Sequence, residues 1–126
     1  MDEVKNKLYN ILYVEDMDDA IFVVSRCLKD KYNLVTASNK EEAWDLLNAN
    51  DIDLVLLDIY LGQSIDGFSI AIDIRNNEKY SKIPIIAVTA YSFELEDGET
   101  NLYVDGLLRK PFESETLISS IKRFLK

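Results

Sequence analysis

The chain has 126 residues, a formal net charge of -9 and a pI near 4.4. That length suits a single domain, 1–126, and the acidic balance excludes a basic face for direct nucleic acid binding while suiting a cation site. With no histidine and one cysteine, Cys27, His-based catalysis, most zinc sites and an internal disulfide are excluded as well.

In chain order, residues 8 to 14 are rich in strand formers and end at Glu15-Asp16. Ala20, Ile21, Val24 and Leu28 then recur at helical spacing, with Cys27 as a packing residue. A short strand over Tyr32 to Ala37 is followed by Ser38-Asn39-Lys40-Glu41. That stretch fits a capping box for a helix carrying Ala43, Trp44, Leu46 and Leu47. Leu54 to Leu57 form a continuous apolar run that stops at Asp58, as in a strand buried on both faces of a parallel sheet. After a loop from Ile59 to Ile65, Asp66 is placed to cap a helix with Phe68, Ile70, Ala71 and Ile74.

Ile83 to Ala90 read as another buried strand, with Pro84 at its start, where a missing donor is tolerated. Residues 91 to 102 crowd Glu94, Glu96, Asp97 and Glu99 among few apolar residues, so the helix expected there is weak. Val104 to Arg109 give a last strand, closed by Lys110-Pro111. Ser114 then caps a helix bearing Leu117, Ile118, Ile121, Phe124 and Leu125. The repeated β-α order predicts an α/β fold, a doubly wound five-stranded parallel sheet with five helices on both faces. No run nears the roughly 18 apolar residues of a membrane span, and the N-terminus lacks a signal peptide's apolar core. The expected location is cytoplasmic, with no membrane partner.

Parallel strands bring their carboxyl ends to one edge, where open α/β sheets place their chemistry. Glu15, Asp16, Asp58, Thr89 and Lys110 all stand at such ends. Three carboxylates gathered at reduced dielectric repel one another, so one takes up a proton or a cation binds. An open, all-oxygen rim suits Mg²⁺ completed by water and phosphate oxygens. Without a His, a Ser–base pair or a Cys to activate, the plausible nucleophile is a carboxylate that forms an acyl phosphate, its charge offset by the metal and Lys110.

As a set, Ile11-Leu12-Tyr13-Val14-Glu15-Asp16, Leu56-Leu57-Asp58-Ile59, Asp66-Gly67, Val88-Thr89-Ala90 and Lys110-Pro111-Phe112 resemble the receiver domain of two-component response regulators. The resemblance covers nearly the whole chain and implies a flavodoxin-like sheet of strand order 2-1-3-4-5. It implies a signalling domain, not an enzyme with turnover. Asp58 would be phosphorylated from a sensor histidine kinase or histidine phosphotransfer protein, in a phosphorelay that switches a downstream effector protein or domain. Asp16 would bind Mg²⁺ directly and Glu15 through water, with Asp58 and the Tyr60 backbone carbonyl as further ligands. Thr89 would be the switch hydroxyl, Lys110 the partner of the phosphoryl group, and the Lys110-Pro111 bond cis.

Three departures accompany the resemblance. Leu107 stands where the family often has an aromatic residue, the loop after Asp58 is one residue longer than the commonest form, and the segment between Thr89 and Lys110 is about a residue short. The alternatives are a degenerate receiver that binds partners without phosphorylation, and a small haloacid-dehalogenase-like phosphohydrolase built on Asp16-Met17-Asp18.

Overall fold

The computed structural model describes residues 8–60, 66–90 and 103–125. Its strands are β1 (Asn10–Val14), β2 (Asn33–Ala37), β3 (Leu54–Asp58), β4 (Ile85–Thr89) and β5 (Gly106–Arg109). Its helices are α1 (Asp18–Leu28), α2 (Lys40–Ala49), α3 (Asp66–Arg75) and, after β5, α4 (Ser114–Lys122). Every strand pair is parallel and the order across the sheet is β2-β1-β3-β4-β5, as expected.

The expected helix count is corrected. Four helices, not five, stand among the described residues. The fifth was placed on residues 91 to 102, which lie outside the described residues.

Side-chain alternation along the strands sorts the core into two layers. From β1, Ile11 and Tyr13 join Val24 and Leu28 of α1 and Leu117 and Ile121 of α4 on one face. Leu12 and Val14 join Ala43 and Leu47 of α2 and Ile70, Ala71 and Ile74 of α3 on the other. The central strands β3 and β4 are buried along their whole length, because both of their faces are covered. Each Leu of β3 taken fully out of water contributes about 1.5–3 kcal/mol, which makes this strand the anchor of both layers. Trp44 and Cys27 pack against these layers. Among the described residues no helix is long and apolar enough to cross a membrane.

Two helix starts differ from expectation by one residue. Asn39 caps α2, its side-chain oxygen accepting from Glu42 N–H at 2.9 Å, while Glu42 reaches back to the Ser38 N–H at 2.8 Å and hydroxyl at 2.9 Å. The box is thus Asn39–Glu42, not Ser38–Glu41; Asn is as good a cap as Ser, and only this register puts the Glu in reach of Ser38. Before α4, Glu113 is the cap residue and Ser114 is the first helical residue.

Candidate functional site

Strand register builds the site. Val14 is level with Leu57 and Ala37, Asp58 with Val88, and Thr89 with Arg109. The residue that follows each of these positions therefore emerges on the same edge: Glu15 beside Asp58, Thr89 beyond Val88, and Lys110 beyond Arg109. The ladder continues past the strands, with Glu15 N–H donating to the Ala37 carbonyl at 2.8 Å and Lys110 N–H to the Thr89 carbonyl at 2.8 Å. Glu15, Asp58 and Thr89 are the buried polar residues among those described, at 0%, 5% and 0% exposure.

Lys110 ties the rim together. Its Nζ donates to Glu15 Oε1 at 2.7 Å and to Asp58 Oδ2 at 3.0 Å. Asp58 Oδ1 accepts from the Tyr60 backbone N–H at 2.9 Å, and Glu15 Oε2 accepts from Met17 N–H at 3.1 Å. Glu15 Oε1 takes one further donor, the Tyr13 hydroxyl, at 2.8 Å. Asp16 follows Glu15 as an exposed residue, and the Tyr60 side chain is half-buried. The Lys110-Pro111 peptide bond is cis.

Two carboxylates sharing one ammonium titrate unequally. Burial pushes the Asp58 carboxyl up to about 6, Glu15 adds to the rise and Lys110 opposes it. Burial would raise Glu15 too, but its hydrogen bonds with Asp58, Lys110 and Tyr13 outweigh burial and hold it below the ordinary carboxylate value. Burial alone would lower Lys110; Glu15 and Asp58 outweigh it and hold the ammonium above its ordinary value. Burial, then the charge of Glu15, drive the Tyr13 hydroxyl far above an ordinary phenol, so it acts only as a donor. The site thus holds Glu15 as the settled anion and Asp58 as the group under stress.

Gly67 makes the loop geometry possible. Its N–H donates to the Ile59 carbonyl at 3.1 Å, and a Cβ there would lie 1.9 Å from the Asp58 carbonyl oxygen and 2.8 Å from Ile59 Cα. Only a residue without a side chain lets α3 start this close to the backbone that carries Asp58.

The donor set decides which metal fits. The rim offers carboxylate and carbonyl oxygens without sulfur or imidazole, which is the chemistry of a hard divalent cation such as Mg²⁺. Among the described residues no three acidic side chains stand close enough to enclose an ion by themselves. A strongly hydrated ion that leaves part of its shell to water fits that sparse set; Lys110 fills much of the space between Glu15 and Asp58.

A doubly wound sheet with an acidic, lysine-bridged rim at its switch edge defines a class of phosphoryl-handling α/β domains. Residues 11–122 match the family model of the response regulator receiver domain, and the chain belongs to that family. Membership makes it a phosphoacceptor signalling module and displaces the phosphohydrolase alternative. A relative from Porphyra purpurea, a probable transcriptional regulator ycf29, is 33% identical over 119 residues, covering 93% of this chain and 56% of that protein. The chain spans about half or less of the length of the curated relatives it matches. The crystal structure of the response regulator TrrA from Thermotoga maritima in complex with Mg²⁺–BeF aligns with a TM-score of 0.81 at 30% identity, over 94% of this chain and 100% of that one. The receiver domain of the sensor histidine kinase PA1611 from Pseudomonas aeruginosa PAO1, with a magnesium ion in its active-site cleft, aligns at 0.81 and 26% identity, over 94% and 98% of the two chains.

The sequence placed Glu15, Asp16, Asp58, Thr89 and Lys110 at one edge; the structure joins Glu15 and Asp58 through Lys110, with Asp16 exposed next to Glu15 and Thr89 buried at the end of β4. Tyr13 was not singled out. Its signal was available: residues two apart on a strand share a face, so a Tyr two before the first acidic residue is in reach of it.

Proposed function

We propose that Asp58 accepts a phosphoryl group from a phosphohistidine on a sensor histidine kinase or phosphotransfer protein, and that this switches a downstream effector in the cytoplasm. The observation that carries the reading is the single ammonium of Lys110 spanning Glu15 and Asp58 at the carboxyl edge of the sheet. A carboxylate oxygen of Asp58 attacks phosphorus, the donor's P–N bond breaks, and the imidazole leaves with a proton. Lys110 follows the growing negative charge, and Thr89, buried one residue beyond the position level with Asp58, is the hydroxyl nearest in register to answer it. Asp16, Glu15 (through water), Asp58 and the Tyr60 carbonyl are the groups that would hold Mg²⁺. The ion, when bound, would offset charge on the transferring phosphoryl oxygens. Residues 1–126 act as one domain in this reading.

A surface for the donor lies beside the rim. An open groove of about 520 Å³ runs past Lys110, floored by Tyr13 and walled by Ala20, Val23, Pro111 and Phe112. Val23 of α1, which lines the groove, is 48% exposed. Apolar side chains left in water next to a reactive carboxylate support docking of the phosphodonor on α1.

The test is phosphorylation with a small donor. Acetyl phosphate or phosphoramidate with Mg²⁺ is expected to add one phosphoryl mass to the wild type and none to Asp58→Asn. A wild type that binds Mg²⁺ and yet stays unmodified would refute the proposal.

A further inference from the structure

Tyr13 is out of character with its surroundings. In register it lies between Leu56 of β3 and Thr36 of β2, and its side chain is fully buried in the layer that holds Ile11, Leu54 and Val24. A tyrosine buried this way finds a partner for its hydroxyl, and here the partner is a carboxylate with no exposure of its own.

Glu15 needs that donor because its other charged donor is shared. Lys110 reaches Glu15 Oε1 at 2.7 Å and Asp58 Oδ2 at 3.0 Å, so one ammonium serves two buried anions. A phosphoryl group on Asp58 adds negative charge on that side and draws Lys110 toward it. Glu15 would then be left as a buried carboxylate without its direct ion pair, facing the metal only through water, which is a costly state unless another donor stays with it. The Tyr13 hydroxyl cannot follow Lys110, since its ring is clamped in the core. It stays with Oε1, as Met17 N–H stays with Oε2 at 3.1 Å.

We infer that Tyr13 is a positioning residue of the switch, its hydroxyl holding Glu15 in place so that Lys110 is released to the phosphorylated Asp58. The inference rests on the reading of Asp58 as phosphoacceptor. It gives Tyr13 a role toward Lys110 and Glu15 in addition to its place under the groove beside the rim.

The test uses the full chain and beryllofluoride with Mg²⁺ as the phosphoryl mimic, titrated by amide NMR shifts in the wild type, Tyr13→Phe, Glu15→Gln and the double variant. The bond stands in both states and only its strengthening on release of Lys110 reads out, so Tyr13→Phe is expected to lower beryllofluoride affinity about fivefold, a part of the worth of a hydrogen bond to a charged group. In the Glu15→Gln background, where no buried charge remains to hold, the same change is expected to cost less than about threefold. A Tyr13→Phe affinity within about twofold of wild type, or an equal loss in both backgrounds, overturns the inference and leaves a packing role. A second readout needs no variant: the Tyr13 hydroxyl proton should exchange slowly enough to be seen in metal-free wild type and persist once beryllofluoride is bound. Its disappearance in the bound state overturns the inference even if Tyr13→Phe fails to fold. A wild type that takes no beryllofluoride at all sinks the phosphoacceptor reading, and the inference with it.

Discussion

Replacing Asp58 with Asn should make the metal-free protein more stable. Asp58 is 5% exposed and its carboxyl is pushed from 3.8 up to about 6 by burial and by Glu15, against the pull of Lys110. At about 1.4 kcal/mol per tenfold change in proton affinity, the ionised form is disfavoured in the folded state by roughly 3 kcal/mol. Asn carries no charge to desolvate and keeps an acceptor for Tyr60 N–H, but it forfeits the charge in the 3.0 Å contact with Lys110. That loss is already counted in the shift, so the net gain is about 3 kcal/mol, or roughly 9–15 °C in Tm for a domain of this size. The sign follows from linkage. The folded carboxyl binds its proton more tightly than the unfolded one, so the wild type loses stability as pH rises from 3.8 to about 6. The advantage of Asn is absent below the unfolded value and complete above the folded one.

Urea melts of both proteins at about pH 8 and about pH 5, in EDTA and in excess Mg²⁺, measure this. The gap should be full at the higher pH, about half as large at the lower, and closed or reversed by Mg²⁺, which stabilises the wild type. An Asn variant that is less stable than wild type in EDTA, or a gap that ignores pH, would refute the reasoning.

Three further outcomes follow from the backbone. Gly67→Ala should cost about 1–3 kcal/mol in urea melts and shift the Tyr60 amide signal, because the new Cβ would sit 1.9 Å from the Asp58 carbonyl oxygen. Asn39→Ala should cost about 1 kcal/mol, and Ser114→Ala only a few tenths, since Asn39 makes the cap bond of α2 and no side chain caps α4. Asp30 follows α1 with φ at 67°, a conformation glycine adopts freely, so Asp30→Gly should raise stability by about 0.5–1 kcal/mol in the same assay.

Much of this architecture was legible because strands and chemistry coincide in the sequence. The apolar runs of β3 and β4 stop at Asp58 and near Thr89, and in a parallel sheet such stops are also places. Cap registers were less legible: Ser38-Asn39 offers two equally good caps, and only the reach of Glu42 chooses between them. The fifth helix was inferred from the repeating pattern, where the local sequence supplied little support. Tyr13 was hidden by its own suitability as a strand former. A Tyr inside an apolar run satisfies the pattern whether or not its hydroxyl has work to do.

A single ammonium lies between two buried carboxylates, so the rim is short of positive charge, and Asp58 bears the shortage. Anything that delivers positive charge to the rim, or moves Lys110 decisively to one side, relieves it. The backbone of Lys110 is tied to β4, its N–H bonded to the Thr89 carbonyl at 2.8 Å. Thr89 in turn continues β4, whose Ala87 is level with Leu107 of β5. Leu107 has no ring to rotate inward, and the backbone links from Thr89 to Lys110 and Pro111 are the described connection between the rim and α4. The amides at the start of α4, which packs on the same face as α1, should therefore shift when beryllofluoride with Mg²⁺ occupies Asp58, and amides there that stay unmoved would refute this coupling.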